Sequence, residues 1–175
     1  LFFELIKQIN TSLPETNIHI LSNGRKFGWK SYSDKFSNVK KDKIVIGIPL
    51  YSDVEELHNY VVQDRNAFYE TVQGIQNLER NNIAVEIRVV LHKVTITRIK
   101  QLSEFIWNNF PFVDHVAFMG LEYTGYTHHN YDKLKYDIKQ YYDTLIYSVD
   151  FLHNMGLNIS LYNLPSESLG VLGFW

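Results

Sequence analysis

The stretch Ala84–Lys93, AVEIRVVLHK, constrains the fold more than any other part of the chain. At period two, Val85, Ile87, Val89 and Leu91 fall on one face and Glu86, Arg88 and Val90 on the other. The β-branched run predicts a buried strand. Two opposite charges on one face of such a strand are costly unless they pair or look into a polar site. In an α/β barrel that site lies at the carboxyl ends of the strands. Two readings are open. Glu86 and Arg88 line a ligand site, or they form an ion pair that only fills the barrel. Polar residues at the ends of the neighbouring strands favour the first.

The flanking sequence supplies the rest of a repeating pattern. Leu1–Ser12 predicts a helix with Phe2, Leu5, Ile6 and Ile9 as its apolar stripe. Asn17–Ser22 predicts a short strand, turned by Asn23-Gly24. Arg25–Lys43 is polar, with a weak helical signal near Ser33–Val39 and a solvated lysine loop at 40, 41 and 43. Lys43–Leu50 predicts a strand buried on both faces, with Gly47 admitting a close neighbour and Pro49 at its end. A long loop, Tyr51–Asn66, precedes a helix at Phe68–Asn81. Beyond the central strand come a helix at Thr95–Asn109, a strand at His115–Glu122 and a loop at Thr124–Asn130. A long helix at Tyr131–Met155, a fifth strand at Asn158–Tyr162 and an irregular end at Asn163–Trp175 complete the pattern. Alternation without hairpin signals predicts an α/β fold of five parallel strands with crossover helices. The long loops follow strands and the short ones precede them, which marks the strand tips as the functional face. No GxGxxG or P-loop supports the rival doubly wound sheet.

Composition removes several function classes. A net charge of −2 and a pI near 6.4 argue against a general nucleic-acid binder or a polybasic membrane binder. No apolar run is long enough to span a bilayer, and no signal peptide is evident, so a cytoplasmic protein is expected. The chain has no cysteine, which removes disulfides, thiolate metal ligands and cysteine nucleophiles. It opens on Leu1 already in helical phase and stops at Gly173-Phe174-Trp175, so both ends read as cuts through a larger fold.

Candidate site residues cluster at the strand tips. Ser22 and Asn23 offer short hydrogen-bonding groups beside Gly24, although any strand-to-turn junction prefers such residues. Tyr51, Ser52, Asp53 and His58 follow the second strand. A carboxylate there suits a vicinal diol, and loop capping of the next helix is an equal alternative. Arg88 is the strongest candidate, a planar donor fork suited to a carboxylate or phosphate. His92, beyond the strand, reads as a surface residue. Glu122 ends the fourth strand. A metal reading of His115, Glu122, His128 and His129 is weak, because adjacent histidines do not easily share one ion.

Within Ile46–Leu78, the run GIPLYSDVEELHNYVVQDRNAFYETVQGIQNL resembles the radical S-adenosylmethionine enzymes. The residues that carry the likeness are His58-Asn59, Ala67-Phe68 and Gly74-Ile75, with Asn59 in place of the usual Asp. Leu21-Ser22-Asn23-Gly24 resembles the family's Thr-Asn-Gly turn. VEIRVVLHK and PFVDHVAFMGLEYTGYT are most similar to the radical maturase of the His-Xaa-Ser peptide-modification system, and the likeness runs from Leu1 to Asn163.

The resemblance implies a single domain, 1–175, forming a partial TIM-like (β/α)₆ barrel of the radical S-adenosylmethionine type. S-adenosylmethionine would lie across the strand tips. Ser22 and Asn23 would meet its methionine end, Ser52 or Asp53 its ribose, Arg88 with Glu86 its carboxylate, and Met119, Gly120 and Leu121 its adenine. Tyr51, His58 and Glu122 would face the substrate. A four-iron cluster in such enzymes cleaves the cofactor reductively. The first strands, the CxxxCxxC loop that holds the cluster and the glycine-rich second strand have no counterpart in this sequence. The expectation is therefore a maturase fragment that supplies cofactor- and substrate-binding strands and is inactive alone. The 4Fe-4S cluster would belong to the full-length parent. Expected partners are a precursor peptide or protein, a companion maturase, and a second copy paired through an exposed sheet edge. The alternatives are a non-catalytic peptide- or partner-binding module, favoured by the twelve tyrosines and the aromatic C-terminus, and a metal-dependent barrel hydrolase.

Overall fold

The computed structural model describes residues 1–39 and 42–164. The lysines at 40 and 41 and the aromatic C-terminus therefore lie outside the described residues. Five strands form one parallel sheet in sequential order: β1 (Ile18–Leu21), β2 (Ile44–Pro49), β3 (Ala84–Leu91), β4 (His115–Gly120) and β5 (Asn158–Tyr162). Right-handed crossovers between strands in sequential order carry the main helices to one face. The main helices are α1 (Phe2–Ser12), α4 (Ala67–Arg80), α5 (Ile99–Asn109) and α7 (Tyr142–Asn154). The opposite face is left as the lining of a partial barrel.

The alternation read from the sequence decides which residues take each face. Ile44, Ile46 and Ile48 of β2, Val85, Ile87, Val89 and Leu91 of β3, and Val116 and Phe118 of β4 are buried on the helical side. They join Ile75 and Leu78 of α4, Leu102 and Ile106 of α5, and Leu145, Val149 and Leu152 of α7 in one core. Strand pairing stacks the other phase into layers. Gly47 pairs with Glu86, Glu86 with His115, and His115 with Asn158. One layer nearer the tips, Pro49 pairs with Arg88, Arg88 with Ala117, and Ala117 with Ser160. Gly47 does admit close neighbours: a Cβ there would sit 2.9 Å from Leu21 Cδ2 and 3.2 Å from Arg88 Cδ.

Three elements differ from the sequence reading. The expected loop Tyr51–Asn66 contains a helix, α3 (Glu55–Val62), which ends where Gln63 turns to φ 61°. The weak helical signal near Ser33–Val39 resolves into a short helix, α2 (Lys30–Ser33), and a 3₁₀ turn, Asp34–Asn38. The expected long helix Tyr131–Met155 is broken. A short α6 (Tyr131–Leu134) is followed by extended backbone at Lys135, ψ 139°. Asp137 then accepts a hydrogen bond from Lys139 N–H and starts a 3₁₀ turn, Ile138–Tyr141, that leads into α7. The competing side-chain acceptor of an aspartate is what interrupts the periodic pattern.

Candidate functional site

The inner face of the barrel carries a hydrogen-bonded array across three strands. Glu86, whose side chain is 6% exposed, sits at its centre. Its Oε1 accepts from Arg88 Nη1 at 3.2 Å and lies 3.7 Å from His19 Nε2. Its Oε2 lies 2.7 Å from His115 Nδ1, and His115 Nε2 lies 2.8 Å from Ser160 Oγ. A carboxylate only accepts, so His115 carries a proton on Nδ1, and in the neutral ring the Nε2 lone pair faces the Ser160 hydroxyl. Burial of the opposite charges is thus met by pairing, as the second reading of β3 required. Arg88 is not used up by the pair. Among the described residues its Nε and Nη2 reach only the Met119 thioether, at 3.2 and 3.0 Å, and its side chain is 19% exposed. Sulfur is a weak acceptor, so two of the fork's donors remain poorly satisfied.

At the strand tips most candidate side chains serve the loops that hold them. Ser22 Oγ accepts from Gly24 N–H at 3.2 Å, and Asn23 Oδ1 accepts from Arg25 N–H at 3.3 Å. Buried Ser52 accepts from Val54 N–H at 3.1 Å, just ahead of α3. Asp53 is held by both arms of Arg98, with Nε to Oδ1 at 2.9 Å and Nη2 to Oδ2 at 2.5 Å. His58, expected to face the substrate, is 1% exposed and sits in the wall between Tyr51 and Phe68. Its Nδ1 accepts from Tyr51 N–H at 3.3 Å, and burial, with Arg25 nearby, pushes its pKa down to about 4. Gly120 is packed under the chain that leaves β5: a Cβ there would lie 2.1 Å from Asn163 O. Glu122 is exposed and accepts from Asn163 Nδ2 at 2.6 Å. His115 opens β4 and Glu122 lies two residues past its end, so the whole strand, roughly five steps of ~3.3 Å, separates them and the structure does not bring the proposed metal ligands together. Among the described residues no group of three or more potential ligands is placed to hold a metal.

Tyr51, Val90, His92, Leu121 and Lys133 line a cavity of about 540 Å³ at the tips. His92, expected at the surface, is 3% exposed because the chain folds back over it: Ile96 N–H donates to His92 O at 2.9 Å and Thr95 Oγ1 to Val90 O at 3.2 Å. Among the described residues its Nδ1 has no hydrogen-bond partner, and burial lowers its pKa to about 4. The sequence reading missed Arg98 and Ser160. Ser160 was findable, since it shares the inner phase of β5 with Asn158 and Tyr162. Arg98 carried no periodic signal.

Sequential parallel strands, helices on one side and a polar inner face define a partial (β/α) barrel. Solved structures share this architecture. A domain of pyruvate-formate lyase-activating enzyme from Bacteroides vulgatus is 13% identical, with a TM-score of 0.65, over 91% of this chain and 88% of that one. Streptococcus suis SuiB is 17% identical, with a TM-score of 0.68, over 99% of this chain and 38% of its own length, and has been solved with S-adenosylmethionine and with the precursor peptide SuiA. The enzyme anSMEcpe, solved with AdoMet and the Kp18Cys peptide, is 15% identical, with a TM-score of 0.63, over 90% of this chain and 45% of its own. The chain thus spans less than half the length of the two peptide-bound proteins. No protein-family model matches the sequence, and no curated protein matches it significantly. Among the described residues, no helix is long and apolar enough to cross a membrane.

Proposed function

We propose that this chain supplies S-adenosylmethionine- and peptide-binding strands to a radical S-adenosylmethionine peptide maturase, of the kind that serves the His-Xaa-Ser system. One observation carries the reading: the inward Arg88 guanidinium, with two donors resting on a thioether. A ligand carboxylate would satisfy that fork far better than sulfur does. Arg88 would hold the methionine carboxylate, while Met119, Leu121 and Tyr51 would enclose the apolar part of the cofactor. Glu86 orients Arg88 from one side. Ser22, Asn23, Ser52 and Asp53 shape the surrounding loops, and Arg98 fixes the Asp53 carboxylate. When bound and reductively cleaved, the cofactor supplies a radical that abstracts hydrogen from a peptide. An iron–sulfur cluster does not fit this chain, because it needs cysteine thiolates and none of the 175 residues is cysteine. The chain therefore binds and orients, and the redox centre must come from elsewhere.

Titration calorimetry with S-adenosylmethionine tests the reading. Binding to the wild-type chain is expected, weakened at least tenfold by Arg88→Ala. Equal binding by the variant removes Arg88 from the site. No binding by either leaves the non-catalytic partner-binding module as the better account.

A further inference from the structure

The inner face holds one array, Glu86–His115–Ser160, of which the proposed cofactor site uses only Glu86, through its contact with Arg88. We propose that Ser160, His115 and Glu86 form a nucleophilic triad, which makes this face an acyl-transfer site for small esters. The atoms are the ones such a triad requires. Ser160 Oγ is 2.8 Å from His115 Nε2, and His115 Nδ1 is 2.7 Å from Glu86 Oε2. The base thus contacts the nucleophile through one nitrogen and its orienting acid through the other. Glu86 is itself fixed by Arg88 on its second oxygen.

Exposure separates this histidine from the two that serve the core. His58 and His92 are sealed, at 1% and 3%. The His115 side chain is 23% exposed, and Ser160 is partly exposed on β5. A cavity of about 600 Å³ lined by His19, Ala84, Glu86 and His115 opens on the Glu86–His115 side of the array, toward the amino ends of the strands, while Ser160 stands one layer nearer the tips. The positive group for a developing oxyanion is also in place. Arg88 and Ser160 flank the small Ala117 in one layer, each about 4.8 Å away in strand spacing. The Arg88 donors now resting on the Met119 thioether are the ones that would turn to an oxyanion.

The chemistry balances without a cofactor. Ser160 Oγ bonds to the ester carbonyl carbon as its proton passes to His115 Nε2. The carbon–oxygen bond to the alcohol breaks, and the departing oxygen takes that proton. Water then gives a proton to Nε2 and its oxygen bonds to the acyl carbon. The bond to Ser160 Oγ breaks, the proton returns to Oγ, and a carboxylic acid leaves.

The test uses the purified chain with no S-adenosylmethionine, so its outcome is independent of the cofactor reading. A fluorophosphonate probe, which bonds to an activated serine with loss of fluoride, is followed by intact mass and peptide mapping. Hydrolysis of p-nitrophenyl acetate is followed in parallel. One adduct is expected, on Ser160. Ser160→Ala and His115→Gln lose the label and the hydrolysis, and Glu86→Gln slows both by as much as about 10⁴-fold, the scale of an acid-to-amide change at the orienting position of such triads. An unlabelled wild-type chain, label on other serines, or label that survives His115→Gln overturns the triad. Should His115→Gln lose its native circular dichroism, the position of the label in the wild-type chain and the mild Ser160→Ala change decide the question.

Discussion

Acidification should destabilise this protein through two buried histidines. His58 and His92 are pushed down to about 4, chiefly by burial, against an ordinary value near 6.5. The fold therefore favours their neutral forms. The stability this represents is fully present above about pH 6.5 and is lost as pH falls toward 4, because the unfolded chain binds the protons that the folded chain refuses. At pH 5 an unfolded imidazole is roughly 97% protonated and one with a pKa of 4 roughly 9%, so each histidine costs about 2 kcal/mol relative to pH 7.5. Together they remove about 4 kcal/mol, a large share of a typical domain's stability. The lowered carboxyls, Asp64 and Asp132, begin below 3.8 and act only beneath this window. His92→Leu isolates one half. It deletes the titrating group and also the buried Nδ1 that has no partner among the described residues, so stability at pH 7.5 should not fall. Urea melts at pH 7.5 and 5.0 measure the difference. The wild-type loss of about 4 kcal/mol should shrink to about 2 in the variant. A loss unchanged by His92→Leu would refute the assignment.

Two further substitutions test packing at the strand tips. Gly74→Ala on α4 should gain about 1 kcal/mol from helix propensity. The new Cβ would however meet Gly24 O at 2.3 Å, and the forced backbone shift costs on the order of 1–3 kcal/mol, so net destabilisation in a urea melt is expected and net stabilisation would contradict it. Arg98→Ala strands the Asp53 carboxylate, 13% exposed, with the Ser52 hydroxyl at 3.3 Å as its remaining side-chain partner. A loss of about 1–3 kcal/mol should follow, and unchanged stability would show that the bidentate pair contributes nothing.

The fold was legible because its signal is periodic. Val85, Ile87, Val89 and Leu91 announce a two-faced strand, and helix–strand alternation leaves few topologies. The inward direction of Glu86 and Arg88 follows from the same phase. What the sequence hid was partnership. Asp53 read as a ligand for a diol because nothing near it in the chain marks Arg98, 45 positions away, as its ion pair. His92 read as exposed because it follows the last residue of β3, and only the fold-back at Thr95–Ile96 covers it. The break before α7 was hidden for a local reason. Ile138, Leu145, Val149 and Leu152 keep the spacing of a continuous helix, while Asp137 supplies an acceptor that competes with it.

The same distinction separates the two roles on the inner face. A charge on a barrel lining can be neutralised across the barrel or sideways, by the adjacent strand. The registers here favour the sideways route, since Glu86, His115 and Ser160 lie on successive strands of the sheet. A lateral chain of this kind leaves each member one committed contact on either side and one side facing the interior. Glu86 is fully committed by Arg88 and His115, which makes it an orienting group rather than a ligand for anything that enters. Arg88 and Ser160, at the ends of the chain and in one layer, keep unspent hydrogen-bonding capacity. A ligand that spans the two strand spacings between them, about 4.8 Å each, would meet both a guanidinium and a hydroxyl. That pairing selects for ligands in which a negative or incipiently negative oxygen stands beside an electrophilic or hydrogen-bonding centre, as it does in both a carboxylate-bearing cofactor and an ester.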